Sequence, residues 1–253
     1  MTEAEAAQAL RAAHVPGAAN DAGKLARALG EGAALAAAVA RRSLREPVSH
    51  ILGLRAFWKH DFEVNGDVLD PRPDTETLVE AALAEPFGRV LDLGTGSGCI
   101  LLSLLDERPD ATGLGTDISE AALAVARRNA TRLGIPNRAE LRQGDWLSGI
   151  EGTFDLIVSN PPYITATEMA DLHPEVHRWE PHLALTPGGD GLDAYRILTR
   201  DAPEHLTPGG RFMVEIGHQQ APAVTALFQA AGLAEIRVLD DLAGKNRVVS
   251  GRK

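Results

Sequence analysis

The stretch Phe154 to Tyr163 reads FDLIVSNPPY, an apolar run that stops on an amide, two residues without a backbone N–H, and a ring. Asn160 brings a side-chain carbonyl acceptor, and the carbonyls beside Pro161 and Pro162 are freed from ladder bonding because proline cannot donate. Two such acceptors would grip both hydrogens of an NH2 group, and Tyr163 offers a flat face for a planar amide or base. An amino group conjugated to a carbonyl or an aromatic ring attacks poorly, because its lone pair is delocalised. Acceptors that draw on both N–H bonds favour the pyramidal, nucleophilic form and stabilise charge developing on nitrogen, so no strong general base is required. Taken alone, the same four residues also describe a stiff turn.

A second constellation lies upstream. The apolar segment RVLDLG runs into Gly94-Thr95-Gly96-Ser97-Gly98 and then into an apolar helical stretch. Glycines at a strand-to-helix turn let the backbone approach a ligand closely. The spacing is G-x-G-x-G, with Cys99 where a dinucleotide fingerprint has its third glycine, and no Gly-Lys-Ser/Thr follows, so both phosphate-binding patterns are weakened. Asp117 closes the next strand, where a carboxylate accepts from both hydroxyls of a ribose. Asp145 and Trp146 close the third, suited to an adenine amino group and ring. Asp92 would meet an ammonium group. A ligand with ribose, adenine and ammonium but no phosphate is S-adenosylmethionine, with S-adenosylhomocysteine as its product.

These residues need a scaffold. RVLDLG, ATGLGTD, AELRQGD, FDLIVSN and GRFMVEIG read as short apolar strands separated by helical stretches, which predicts an α/β, doubly wound, mostly parallel sheet covered on both faces. AEIRVLDDLAGKNRVVSGR predicts a closing antiparallel hairpin, giving a seven-stranded, Rossmann-like sheet with an antiparallel last strand. Residues 2 to 45 are Ala- and Leu-rich with helical punctuation and predict two or three short helices. LRAFWKHDFEVNGDVL predicts a β-hairpin turning on Asn65-Gly66. The expected organisation is a helical substrate-recognition domain over 1–50, a hairpin linker over 51–75 and a methyltransferase domain over 76–253.

Bulk properties exclude several classes. The chain has 253 residues, 44% hydrophobic, and a formal charge of -10. That charge argues against a broad nucleic-acid surface. The cluster Arg41, Arg42 and Arg45 reads as a solvated helix face, with contact to a partner's acids or to ribosomal RNA as the alternative. Cys99 is the only cysteine, so no disulfide or multi-cysteine zinc site is expected, and it reads as a small core residue. No run approaches a membrane span and the start lacks a signal-peptide pattern, so a cytoplasmic protein is expected. His173 and His177 are separated by Pro174 and lack a third ligand, so no metal is expected. Glu215 either lines the pocket or ends a strand.

With NPPY following DLGTGSG, the chain resembles the class I methyltransferases that act on amino nitrogens of adenine in DNA, guanine in ribosomal RNA, or protein glutamine. Residues 47–80, with PRPDTE at Pro71 to Glu76, resemble the release-factor glutamine methyltransferases, the PrmC or HemK family, as do GGDGLDAYRILTRDAPEHLTPGGRFMVEIG and the tail DLAGKNRVVSGR. The resemblance implies methylation of the glutamine in the Gly-Gly-Gln motif of peptide-chain release factors. It implies that Asn160, Pro161, Pro162 and Tyr163 hold that glutamine, with Arg72 and Pro73 near the substrate entrance. Gly94, Thr95, Gly96, Gly98, Asp92, Asp117, Asp145, Trp146 and Asn160 are the expected cofactor residues. A monomer acting on a protein substrate is expected, with no stable nucleic-acid partner. The alternatives are an adenine or guanine amino-methyltransferase and a non-catalytic cofactor-binding protein, which would not need NPPY.

Overall fold

The computed structural model describes all 253 residues. The chain begins with a helical unit, α1 (Glu3–Ala12), α2 (Ala18–Leu29), α3 (Ala33–Ser43) and the short α4 (Val48–Leu52). Thr2 and Glu5 form a capping box that starts α1, satisfying two otherwise orphaned N–H groups. Small residues dominate the contact faces, and α1, α2 and α3 bury a core of their own around Leu10, Leu25 and Leu35. The hairpin β1 (Leu54–Phe57) and β2 (His60–Glu63) follows.

This hairpin corrects the expected turn. Its strands pair Phe57 with His60, so Trp58 and Lys59 make the connection, and Trp58 takes a φ of 53°. Asn65 lies beyond β2, where its side chain accepts from the Asp67 N–H at 3.0 Å. That local side-chain turn is the use of Asn that competes with a hairpin bend. Phe57 and Phe62 are buried with Leu78, Val79 and Leu104 in the core of the sheet, so the hairpin packs as part of that core.

The sheet comprises β3 (Arg89–Leu93), β4 (Thr112–Asp117), β5 (Ala139–Gln143), β6 (Phe154–Ser159), β7 (Leu206–Glu215), β8 (Ala234–Asp240) and β9 (Asn246–Arg252). Their order is β5-β4-β3-β6-β7-β9-β8. The first five are parallel, while β9 runs antiparallel to both neighbours. Helices α5 (Glu76–Leu83), α6 (Cys99–Glu107), α7 (Glu120–Arg132), α8 (Pro174–Trp179), α9 (His182–Leu185), α10 (Asp193–Asp201) and α11 (Ala221–Ala230) complete the chain.

Side chains of the central strands alternate between two cores, which is why β3, β6 and the second half of β7 are apolar almost throughout. Val90, Leu156, Val158 and Met213 join α5 and α6 on one face. Leu91, Leu93, Ile157, Phe212 and Val214 join α10 and α11 on the other. The strand order reverses between β3 and β6, placing a crevice at their carboxyl ends, where open α/β sheets bind ligands. No helix is long and apolar enough to cross a membrane.

Candidate active site

A cavity of about 390 Å³ opens at that crevice. Its floor is the loop from Gly94 to Gly98, in which all three glycines have positive φ. The Gly94 and Thr95 N–H groups both donate to the Thr116 carbonyl at 2.9 Å, and the Gly96 N–H donates to Asp117 Oδ2 at 2.9 Å. A Cβ on Gly96 would meet nothing within 4 Å, so the loop backbone faces open cavity there, at a φ of 55° that suits glycine. The Trp146 ring passes 3.5 Å from where a Gly94 Cβ would stand, and Trp146 itself holds a φ of 50°.

Two carboxylates flank the loop. Asp117 Oδ1 accepts from the Ser119 N–H at 2.9 Å, and burial outweighs these backbone bonds to push its carboxyl above the usual range. Asp92 is fully buried. Its Oδ2 accepts from Thr95 Oγ1 at 2.7 Å, while Oδ1 has no partner. Burial, helped by the nearby Asp117, pushes the Asp92 carboxyl up to about 7. An unpartnered buried carboxylate under a glycine loop fits a cationic group on a ligand.

The Asn160 turn sits beside this loop because β6 pairs directly with β3, Ser159 opposite Leu93. Ser159 Oγ donates to the Leu93 carbonyl at 2.7 Å, buried, tying the two strand ends together. Asn160 Nδ2 donates to Thr75 Oγ1 at 3.3 Å, and no donor of the chain bonds its Oδ1 or the Pro161 carbonyl. Behind the turn, Gln220 Nε2 donates to the Tyr163 carbonyl at 3.0 Å. A Cβ on Gly191 would come within 2.4 Å of the same carbonyl, so only glycine admits the turn so closely.

The segment after the turn covers the cavity and ties it to the helical unit. Pro181, Leu183 and Ala184 line the cavity. Arg72 grips the buried Glu180 carboxylate at 2.5 Å, and burial outweighs that partner to raise the Glu180 pKa. Arg42 and Arg45 both bond Glu175, at 2.9 and 2.7 Å, and Arg42 also bonds Asp21 at 2.8 Å. Burial of Glu175 is overcome by the two guanidinium groups, which hold its carboxyl down at about 2.

Residues 67–179 match a family model described as the methyltransferase small domain. The chain is 61% identical over 216 residues to the release factor glutamine methyltransferase of Cereibacter sphaeroides, covering 85% of this chain and 78% of that one. It is 53% identical over 226 residues to the protein of that name from Rhodospirillum rubrum, covering 88% and 70%. The chain belongs to the release factor glutamine methyltransferase family. A methyltransferase structure from Pyrococcus furiosus is similar with a TM-score of 0.60 at 19% identity, over 78% of this chain and 91% of that one, a likeness of fold.

Within this family member, the cavity is lined by Arg72, Gly94, Thr95, Gly96, Asp117, Asp145, Trp146, Asn160 and Pro162. Asp92, Gly98, Pro73, Pro161 and Tyr163 are not among its lining residues. Gly98 instead starts α6 with a left-handed φ of 80°, and Asp92 acts from beneath through Thr95. Tyr163 departs from the expected stacking platform. Its ring packs near Gly217 and the β7 core, and its hydroxyl donates to Glu215 Oε1 at 3.3 Å. Pro162 supplies the apolar surface that faces the cavity.

The arginine cluster also differs from a solvated face, since Arg42 is only 5% exposed and doubly paired. Its partner Glu175 is 133 residues away, and no local periodicity signals that pairing. Cys99 is buried as expected, and burial pushes its thiol up to about 12. Thr75, which the sequence does not single out, lines the cavity and bonds Asn160, while Glu215, expected either to line the pocket or to end a strand, ends β7 outside the lining and bonds Tyr163 behind the turn.

Proposed function

We propose that this enzyme transfers a methyl group from S-adenosylmethionine to the side-chain nitrogen of the glutamine in the Gly-Gly-Gln motif of a peptide-chain release factor. It acts as a cytoplasmic monomer on a protein substrate. The observation that carries the reading is the pairing of two strand ends: an Asn160 turn with unbonded acceptors, fastened by Ser159 to the strand that opens the glycine loop. When bound, the cofactor supplies an electrophilic methyl on sulfur. Asp117 would accept from ribose hydroxyls, Asp145 and Trp146 would hold the adenine, and Asp92 would balance the ammonium group.

The chain's own residues then act on the acceptor amide. Asn160 Oδ1 and the Pro161 carbonyl would accept its two N–H groups, pulling the nitrogen toward pyramidal geometry and holding it in line for attack. Pro162 would support the amide plane, and Tyr163 would hold the turn from behind. The covering segment from Pro181 to Ala184 would exclude water. Arg72 and Pro73 would border the substrate entrance, and the helical unit over 1–50 would recognise the body of the release factor.

The test is incubation with labelled S-adenosylmethionine and a release factor, with the label located by peptide mass spectrometry. Glutamine in the loop should be singly methylated. Its replacement by asparagine shortens the stem by about 1.5 Å, a misplacement that costs about 100-fold or more. Equal methylation of the asparagine variant would refute the geometry, and preferential methylation of an adenine-containing duplex would favour a nucleic-acid substrate.

A further inference from the structure

The Asn160 carboxamide can lie either way round in its slot, and only one way presents a carbonyl to an amino group. Its contact with Thr75 does not settle the choice alone, because a hydroxyl both donates and accepts. Thr75 is 2% exposed and receives the Asn160 Nδ2–H at 3.3 Å, so its own proton needs another acceptor. Glu215, at the carboxyl end of β7, is 1% exposed. One of its oxygens accepts from the Tyr163 hydroxyl at 3.3 Å, and the other, Oε2, meets no partner of good hydrogen-bond geometry. The Thr75 hydroxyl lies beside this carboxyl and favours its ionised form. A donor without an acceptor and an acceptor without a donor therefore adjoin at the wall of the cavity.

We propose that Glu215 and Thr75 are positioning residues that orient the Asn160 side chain with its carbonyl toward the acceptor amide. This rests on the role given to Asn160 above. An anionic Glu215 can only accept, so the Thr75 O–H donates its hydrogen bond to it. Thr75 is then left with a lone pair facing Asn160, which must present its NH2 inward and its carbonyl outward. A neutral Glu215 can donate instead, and Thr75 can then turn its proton toward Asn160 and admit the reversed amide. The same carboxylate holds Tyr163, so one buried charge sets both ends of the Asn160 to Tyr163 turn.

The other groups facing Glu215 define when that charge is present. Arg247 from β9 favours ionisation and Asp74 opposes it. Tyr195 donates to the Glu215 backbone carbonyl at 2.8 Å, and Cys99 stays a thiol. Burial prevails and pushes the carboxyl up to about 7. The oriented state should thus form as pH rises through neutrality.

The test has one readout in the free enzyme and one in turnover. In protein labelled with 15N-asparagine, the Asn160 side-chain signals, assigned by their loss in Asn160→Asp, should titrate near neutral pH. They should stop titrating in Glu215→Gln and shift in Thr75→Val. In single-turnover assays Thr75→Val should lose about tenfold or more in rate at unchanged cofactor affinity, and Thr75→Ser should restore it to within about threefold. Asn160 signals unmoved by both Glu215→Gln and Thr75→Val, or Thr75→Ser as slow as Thr75→Val, would overturn the proposal. A parent that shows the titration yet does not methylate a release factor would leave this orientation in place and remove the substrate reading.

Discussion

Replacing Asp92 by asparagine separates what this buried carboxyl costs the fold from what it gives a ligand. Asp92 is fully buried, with Thr95 on one oxygen and nothing on the other. Burial lifts its pKa from 3.8 in the unfolded chain to about 7. A raised folded value means that its contribution is fully present below pH 3.8 and lost as pH rises through 7. The gap of about 3 units corresponds to about 4 kcal/mol at pH 8. At pH 5 the folded carboxyl is still protonated while the unfolded one has largely ionised, so only about 1 to 2 kcal/mol has gone. Asparagine has the same shape, accepts from Thr95 and stays neutral. Asp92→Asn should therefore gain about 2 to 3 kcal/mol on the parent between pH 5 and pH 8. Urea unfolding of the ligand-free proteins at both pH values, with equal m-values, measures this directly. The variant should bind S-adenosylmethionine more weakly by calorimetry at pH 8. A stability difference that is the same at pH 5 and pH 8 would refute the reasoning.

Asp117→Ala should weaken S-adenosylmethionine about tenfold or more, because it would remove the proposed ribose acceptor together with the brace on the Gly96 N–H; unchanged affinity by calorimetry would take it out of the site. Asn160→Ala should lower single-turnover rates about 100-fold or more while cofactor affinity stays close to the parent, measured with enzyme preloaded with labelled cofactor. Glu175→Gln should destabilise the protein at pH 7 by about 1 to 2 kcal/mol, less than the full pKa gap because solvent reaches part of the pair. Its carboxyl sits at about 2, so this contribution is present above pH 4.5 and is lost as pH falls toward 2. Chemical denaturation should show the parent and Glu175→Gln converging over that acid range.

The central strands β3 and β6 were legible because they are buried on both faces and interrupted by turn-rich segments, so the apolar runs RVLDLG and FDLIVSN mark their own limits. The glycine loop was legible for a similar local reason, since positive φ at Gly94, Gly96 and Gly98 restricts residue choice. Tertiary pairing was not. The turn of the first hairpin falls on Trp58-Lys59, where packing of Phe57 and Phe62 against α6 overrides the preference of Asn65-Gly66. Arg42 looks like a surface residue until the chain returns with Glu175. Thr75, Asn160 and Glu215 meet only when α5, β6 and β7 come together, and no spacing rule relates positions so far apart.

The covering segment has two anchors of different origin. Glu180 is held by Arg72 from the stretch before α5, and Glu175 by Arg42 and Arg45 from α3 and its end. Any rotation of the helical unit must either break the Glu175 pairs, leaving the buried Arg42 with a lost partner, or drag α8 with it. Dragging α8 displaces Pro181 and Leu183 at the cavity mouth. The helical unit is thus a lever and the covering segment its short arm. A load that keeps the Glu175 pairs intact would reach the cavity mouth through α8, and by reciprocity whatever fills the mouth would resist that motion.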